Sequence, residues 1–157
     1  MLCRVDYAAM TDFTISHATA GDIDVVEALL AREHLPLDGL RRADAVLVAR
    51  AGNRIVGSAA LEFYEGGALL RSVAVDAEHR RAGMGGELIR MAIALARRRG
   101  APAVYLLTTT AERFFPRFGF EIVDRADVPA ALTASEEFAH ACPSTAIVMR
   151  RFVISMA

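Results

Sequence analysis

Residues 69–86, LLRSVAVDAEHRRAGMGG, constrain the fold of this chain more than any other stretch. An apolar strand over residues 69–75 runs into a turn rich in arginine and glycine, residues 80–86, and an amphipathic helix follows at once. This order leaves unpaired backbone N–H groups at a helix N-terminus, where the helix dipole favours an anion. A side chain at Gly83 or Gly85 would stand between that backbone and a bound phosphate. The stretch therefore predicts a phosphate-binding turn between a buried strand and a helix.

The spacing of this turn, Arg80-x-x-Gly83-x-Gly85, narrows the kind of site. It is neither a P-loop, since no Gly-Lys-Ser/Thr follows, nor the dinucleotide fingerprint with its later acidic residue. Alone, such a turn is equally typical of an ordinary tight connection. The spacing resembles the acetyl-CoA pyrophosphate loop of the GNAT N-acetyltransferase superfamily, with residues 73–76 on the fourth strand. Residues 111–120, AERFFPRFGF, resemble the short helix and closing Gly-Phe of the same superfamily, and the two motifs stand in the same order.

This resemblance implies acetyl-CoA as the cofactor. It places the pantetheine arm and the thioester carbonyl on the main chain of the fourth strand, where an outward-facing N–H of Val73 would stabilise the oxyanion. The pyrophosphate would be held by the Arg80 side chain and by main-chain amides that begin at Arg81. The implied cofactor-binding residues are Val73, Ala74, Val75, Arg80, Arg81, Ala82, Gly83, Met84, Gly85, Gly86 and Phe115.

Phe115 departs from the pattern of the superfamily. Many members have a tyrosine at this position, which protonates the leaving thiolate, and phenylalanine donates no proton. The thiolate then leaves unprotonated or takes a proton from water, since its parent thiol has a pKa of about 8.5. We expect direct transfer in a ternary complex. A covalent intermediate on Cys142 is the alternative, although a small buried residue beside Pro143 is the plainer interpretation of that cysteine.

The length and pattern of the chain predict a single α/β domain. Its 157 residues, of which 54% are hydrophobic, suit one domain with a buried core. Periodicity and turn residues predict strands over residues 14–17, 45–49, 55–63, 68–76, 103–107, 118–123 and 145–153. They predict helices over residues 21–33, 84–99, 111–117 and 129–140. The resemblance implies a GNAT fold over residues 14–157, a mixed central sheet of about seven strands with helices on both faces, after an N-terminal extension over residues 1–13.

Composition argues against several other classes of protein. The net charge of −1 disfavours general nucleic-acid binding. No apolar run approaches the roughly 20 residues that span a bilayer, and no secretory signal pattern precedes the domain. The two cysteines have no metal-ligand spacing and are too few for a disulfide framework, so we expect no metal site, reduced thiols and a cytoplasmic location. A homodimer is expected from the superfamily alone.

The C-terminal half of the sequence bears on the acceptor. From Val104 onward, Leu-Thr-Thr before a double-Phe motif and Cys-Pro before the last strand resemble the branch that includes bacterial N-acetylglutamate synthases. The whole chain from Thr14 resembles the arsenic-resistance N-acetyltransferases, which are associated with arsinothricin. Both resemblances imply a small amino-acid substrate with an α-amine, an α-carboxylate and a polar or anionic side chain, because arsinothricin is a glutamate analogue.

Five side chains are candidates for the acceptor end of the site. Arg71 on the fourth strand suits a carboxylate, which its planar fork matches bidentately, although a surface arginine is an equal alternative. Ser72 beside it is assigned to both catalysis and acceptor binding. Thr108 and Thr109 end the fifth strand, where they contact the acceptor or cap backbone groups. Glu62 is a candidate for orienting a water as base, with a solvated strand carboxylate as its alternative.

Three functions therefore remain open. The first hypothesis is acetyl transfer to the α-amine of arsinothricin or a relative, and the second is N-acetylglutamate synthesis for arginine. The third, from a different class, is a non-catalytic acetyl-CoA-binding module that senses or regulates.

Overall fold

A seven-stranded mixed sheet in the order β1-β2-β3-β4-β5-β7-β6 forms the centre of the molecule. The computed structural model describes residues 13–141 and 144–153, without the side chains of Arg81, His140 and Ala141. The strands are β1 (Thr14–His17), β2 (Ala45–Ala51), β3 (Arg54–Tyr64), β4 (Gly67–Val75), β5 (Ala103–Thr108), β6 (Glu121–Val123) and β7 (Ile147–Phe152). The predicted number of strands and their places along the chain are confirmed.

Helix α1 (Ile23–Arg32) covers one face of the sheet. The main-chain N–H of Thr19, just before the helix, donates to the carboxylate of Asp22 over 2.8 Å, and this bond lowers the pKa of Asp22. The buried residues of the helix, spaced three and four apart, are Val26, Leu29 and Leu30. They pack on Val48 of β2 and Ala60 of β3, so the amphipathic pattern of α1 fixes which face it buries.

Helix α2 (Met84–Arg98) covers the opposite face, which confirms the prediction of helices on both sides. It begins after Gly83 (φ 78°) and ends near Gly100 (φ 82°), and both glycines adopt the left-handed conformation that costs other residues a steric clash. Leu88 and Ala92 form part of its buried stripe and are at most 1% exposed. Loss of the Leu88 side chain beyond Cβ would cost about 2–5 kcal/mol of stability by leaving a cavity.

The sheet splays at its middle. Strands β1 to β4 are antiparallel neighbours, and so are β5, β7 and β6. Between these halves, β4 and β5 run parallel and pair only at Ala68 with Val104 and at Leu69 with Tyr105. The two strands diverge beyond Leu69, so the second half of β4 faces a gap rather than a neighbouring strand.

Three predicted elements differ from the structure in the C-terminal half, and two of them are neighbours over residues 111–123. The predicted helix over residues 111–117 is a single 3₁₀ turn, Phe115–Phe118, and the predicted strand over residues 118–123 begins only at Glu121. Gly119 between them has a φ of 88°, a left-handed conformation that ends the turn and delays the strand.

The predicted helix over residues 129–140 is broken into helix α3 (Ala130–Thr133) and a π-helical segment, Glu137–Ala141. The hydroxyl of Thr133 donates to the carbonyl of Ala130 over 2.9 Å, and the hydroxyl of Ser135 accepts from the N–H of Phe138 over 3.4 Å. Such side-chain bonds compete with the helical ladder, which explains the break.

Candidate active site

A cleft of about 860 Å³ opens where β4 and β5 diverge. This volume is in the range of roughly 300–1,000 Å³ that is typical of small-molecule sites. The phosphate turn lines one end, and the π-helical segment lines the part beside Arg71. The residues that end and follow α1 also line the cleft, and Glu33 among them contacts Arg80. The predicted site residues that line it are Arg71, Ser72, Val73, Ala74, Val75, Arg80, Gly83, Gly85, Gly86, Thr108, Thr109 and Phe115.

The wall formed by β4 contains a bulge at its centre. Ser58 of β3 pairs with Ala74, and Ala60 pairs with Arg71. Between these two pairs, β4 contains one residue more than β3. Ser72 takes up the extra length with a φ of 58°, a conformation that non-glycine residues seldom adopt. Val73 beside it has no partner in the pairing with β3, and β5 has already diverged. The bulge therefore leaves the main chain of Val73 available to a ligand in the cleft.

The phosphate turn has the geometry that an anion site requires. The first bond of the α2 ladder joins the N–H of Glu87 to the carbonyl of Gly83 over 3.1 Å. The N–H groups of residues 84–86 precede that bond and have no acceptor within the helix. A Cβ at Gly83 would meet open space, and one at Gly85 would meet Val75 at an ordinary 3.5 Å. The backbone conformation of Gly83 therefore favours glycine, while the space around it would accept a side chain.

Arg80 stands at the mouth of the cleft, but its guanidinium is engaged by the protein itself. It forms an ion pair with Glu33 at the end of α1, and its Nε donates to the carbonyl of Val75 over 3.2 Å. About half of the Arg80 side chain is exposed, so it remains accessible to a phosphate at the mouth of the cleft.

Two further arginines line the cleft near the same turn and were not among the predicted residues. Arg90 lies 5.3 Å from the ring centre of Phe118, and Arg117 lies 5.0 Å from that of Phe114. Arg90 follows Gly86 by one helical turn, which is the sequence signal that would have found it. Together with Arg80 they make the phosphate end of the cleft electropositive.

The side chain of Met84 does not face the cleft, and the predicted contact of its main chain with the cofactor stays a prediction. Its side chain is 1% exposed and packs in the core against the sheet. Neither Met84 nor Ala82 lines the cleft among the described residues, and the side chain of Arg81 lies outside the description.

Arg71 is the central charge of the other end of the cleft. Its side chain is fully buried, so the alternative of a surface arginine is wrong. Nη1 donates to Oε2 of Glu62 over 2.9 Å, Nε donates to the Ser72 hydroxyl over 3.1 Å, and Nε lies 3.9 Å from Oε2 of Glu137. Within the described part of the chain, Nη2 is buried and has no hydrogen-bond partner. Arg71, which lines the cleft, thus holds one buried donor group that has no partner among the described residues.

Gly39 covers this arginine from the connection between α1 and β2. A Cβ at Gly39 would lie 3.0 Å from Nη1 of Arg71, and the φ of Gly39 is 82°. Only glycine therefore suits this position without displacing the buried guanidinium.

Glu62 contacts Arg71 but does not itself line the cleft. The carboxylate is buried, so the alternative of a solvated strand carboxylate is wrong. It accepts from Arg71 and also from the hydroxyl of Tyr64, two residues along the same face of β3. Burial, with the nearby Glu62 carboxylate as the second cause, raises the pKa of Tyr64 above its usual range, so the phenol stays a neutral donor. The placement of Glu62 favours orientation of Arg71, and its role as a base stays a prediction.

Glu137 and Tyr64 are the acceptor-end residues that the sequence interpretation missed. Glu137 is 6% exposed, lines the cleft and comes from the broken helix near the C-terminus. Nothing in its local sequence indicates that it approaches Arg71. Tyr64 is detectable from the alternation of β3, which places it on the same face as Glu62.

The two threonines that end β5 differ in role. Oγ1 of Thr108 accepts from the main-chain N–H of Ala111 over 2.9 Å and, at 3.4 Å, from that of Thr110. Thr108 thus caps backbone groups of the turn after β5, which was the alternative to acceptor binding, and it also lines the cleft. Thr109 follows the end of β5, is exposed and lines the same edge of the cleft.

Phe115 lies between the core and the cleft. Its ring is 7% exposed and meets Phe114 and Phe120 edge to face, with centroids 5.5 and 5.8 Å apart. It supplies an apolar surface and no proton. Cys142, the alternative nucleophile, and its neighbour Pro143 lie outside the described residues.

The part of the chain that the structure describes contains neither a group of metal ligands nor a membrane-spanning helix. No group of three or more His, Cys, Asp or Glu side chains there could hold a metal ion. Among the same residues, no helix has the length and apolar character needed to cross a bilayer.

A splayed sheet, a bulged fourth strand and an electropositive turn at a helix N-terminus together define a coenzyme A-dependent acyltransferase. The family profile described as "Acetyltransferase (GNAT) domain" matches residues 42–122, about half of the chain. The chain belongs to this family of acetyltransferases, whose acyl donor is acetyl-CoA, and both the predicted fold and the predicted cofactor are confirmed. No curated protein sequence matches the chain.

Solved structures of several acetyltransferases share this fold. N-acetylglutamate synthase from Neisseria gonorrhoeae, complexed with coenzyme A and N-acetyl-glutamate, has a TM-score of 0.78 and 20% identity over 91% of this chain. The match covers 35% of that protein, so this chain spans about a third of its length. Rv2747 from Mycobacterium tuberculosis, in complex with CoA and NLQ, has a TM-score of 0.76 and 20% identity over 90% of this chain and 99% of its own. The ribosomal-protein-S18-alanine N-acetyltransferase from Escherichia coli has a TM-score of 0.69 and 20% identity over 92% and 96% of the two chains.

Proposed function

We propose that the protein transfers the acetyl group of acetyl-CoA directly to the α-amine of a small, glutamate-like amino acid. Arsinothricin is the first candidate acceptor, and glutamate, as in N-acetylglutamate synthesis, is the second. The observation that carries the proposal is the buried guanidinium of Arg71. Its Nη2 has no partner among the described residues and lies in a cleft wall, where the α-carboxylate of an amino acid would satisfy it.

The charges around Arg71 favour a zwitterion over a simple anion. Glu62 and Glu137 both lie within 4 Å of the guanidinium, so Arg71 faces two carboxylates. The ammonium and the carboxylate on the α-carbon of an amino acid cancel in charge. In the cleft the carboxylate would pair with Arg71 and the ammonium with Glu137. Burying an unpaired anion beside two carboxylates would be costly.

Acetyl transfer then needs the amine to lose a proton before it attacks the thioester. The α-amine of a peptide has a pKa of about 8, and that of a free amino acid is higher, so the attacking amine needs a group that accepts its proton. Glu137 lines the cleft and is our candidate for receiving that proton, directly or through a water. The N–H of Val73 stabilises the oxyanion that forms. Coenzyme A leaves as the thiolate, since Phe115 offers no proton.

The proposal is tested by free-thiol release from acetyl-CoA with the full chain. The acceptors are arsinothricin, phosphinothricin, glutamate, aspartate, a peptide with an N-terminal alanine and a lysine peptide. Turnover on arsinothricin well above that on glutamate supports the first candidate, and the reverse order supports the second. Preference for either peptide contradicts a small amino acid as acceptor. Acetyl-CoA binding with no turnover on any of them supports the non-catalytic module instead.

Arg71→Lys isolates the role of the guanidinium, because lysine keeps the positive charge between the two carboxylates but lacks the fork. We expect the KM for the acceptor to rise about 10- to 100-fold, the loss of a charge-assisted hydrogen bond worth about 1.5–3 kcal/mol, and the KM for acetyl-CoA to stay constant. Arg54→Ala on β3 is the matched control, since Arg54 is exposed and does not line the cleft. Equal changes in both KM values would contradict a carboxylate-binding role.

A further inference from the structure

We propose that Ser58 is a positioning residue that aims the N–H of Val73 at the thioester carbonyl. Ser58 lies on β3, does not line the cleft and has no assigned role. The inference rests on the proposed role of the Val73 N–H in acetyl transfer, and it names the group that holds this N–H in place.

The contact that carries the inference joins β3 to the bulge of β4. The hydroxyl of Ser58 donates to the main-chain carbonyl of Ser72 over 2.8 Å. The carbonyl of Ser72 and the N–H of Val73 belong to one peptide unit. None of the described peptide bonds is cis, so these two groups point in opposite directions across it. A bond that holds the carbonyl towards Ser58 therefore turns the N–H away from β3.

The residue pairing of the sheet skips this peptide unit. The pairing of β3 with β4 passes from Arg71 to Ala74 and omits Ser72 and Val73. The pairing of β4 with β5 has ended at Leu69. An ordinary strand peptide is fixed by ladder bonds on both sides, but this one depends on the side chain of Ser58.

The environment of Ser58 makes the bond specific. Its side chain is fully buried, so water does not replace the hydroxyl when it is lost. Ser72 has a φ of 58°, which an L-residue holds only when its surroundings impose it. Without the hydroxyl, the Ser72 carbonyl loses its buried donor, and rotation of the peptide plane towards an ordinary strand geometry moves the Val73 N–H off the cleft.

The test reads the thioester carbonyl directly and needs no acceptor. The probe is acetyl-CoA labelled with carbon-13 at the acetyl carbonyl, bound to the full chain and observed by isotope-edited infrared spectroscopy. A hydrogen bond from Val73 lowers the stretching frequency of the bound carbonyl relative to free acetyl-CoA. In Ser58→Ala we expect the frequency to return towards the free value while the Kd for acetyl-CoA stays within about twofold. In Ser58→Thr, which keeps a hydroxyl, we expect it to stay low.

The matched control is Ser135→Ala, which removes a hydroxyl of similar burial from a different element. It should leave the carbonyl frequency unchanged, and thermal unfolding of both alanine variants separates a loss of stability from a loss of orientation. Bound carbonyl at the same frequency in Ser58→Ala and wild type would overturn the inference. So would a wild-type frequency equal to that of free acetyl-CoA.

Kinetics add a second readout wherever an acceptor is turned over. Removal of an oxyanion donor costs about 10²–10³ in kcat, and we expect about a tenfold fall in Ser58→Ala because the N–H is misdirected rather than deleted. The KM for both substrates should be nearly unchanged. Failure of the acceptor assay would contradict the proposed function alone, because the infrared arm needs only acetyl-CoA.

Discussion

Arg71→Met tests whether the buried charge cluster is assembled as described. Methionine replaces the unbranched stem of arginine and removes the guanidinium, which leaves the carboxylates of Glu62 and Glu137 buried without their shared cation. Breaking a buried ion pair by removing one partner costs about 3–5 kcal/mol. One kcal/mol shifts the Tm of a domain of this size by about 2–4 °C, so this cost corresponds to a fall of roughly 6–20 °C.

The double variant Arg71→Met/Glu62→Gln separates charge from packing. Glutamine removes one of the two carboxylates that have lost their shared cation, so half of that charge disappears with it. We therefore expect the double variant to be more stable than Arg71→Met by about 2 kcal/mol, although it carries one more substitution. If the two residues were independent, the second substitution would not raise the free energy of unfolding of Arg71→Met.

The assay is urea unfolding followed by far-ultraviolet circular dichroism, without acetyl-CoA, on the wild type, the two single variants and the double variant. Equal slopes of the unfolding free energy against urea would show that the same surface is exposed in each case. A cost below about 1 kcal/mol for Arg71→Met, or a double variant less stable than the single one, would refute the buried cluster.

Two further predictions concern the acceptor wall and the phosphate turn. The pKa of Tyr64 is raised, so its phenol should ionise at a higher pH than an ordinary tyrosine in an alkaline titration followed near 295 nm. Its contribution to stability is complete below pH about 10 and is lost as the pH rises through the raised pKa. Tyr64→Phe should remove this late component of the titration. Gly83→Ala should lower stability by about 1–2 kcal/mol, since its φ is 78°, and should raise the Kd for acetyl-CoA in calorimetry. The control is Gly52→Ala, a left-handed glycine in open space that does not line the cleft, which should lower stability without changing that Kd.

Local signals account for what could be predicted of the fold. Strand alternation, the amphipathic stripe of α2 and its flanking glycines all act within a few residues, and the structure confirms them. The predictions over residues 111–123 and 129–140 were less accurate. There, Gly119 adopts a left-handed conformation and Ser135 bonds to the main chain, and neither choice can be read from apolar spacing.

The candidate site divides in the same way. The sequence by itself determined the phosphate turn, because the glycines, the arginine and the helix that form it are neighbours along the chain. It also determined that Phe115 cannot donate a proton. The presence of Arg71 and Ser72 on the strand before that turn follows from the same local motif.

Only the tertiary structure decided what these residues face. Arg71 meets Glu62 from the neighbouring strand and Glu137 from a segment 66 positions later in the chain, and these contacts turn a strand arginine into a buried charge. The bond from Ser58 to the Ser72 carbonyl likewise depends on the register of β3 against β4. Side chains so far apart in sequence leave no shared local pattern, because their proximity results from how the sheet and its helices pack.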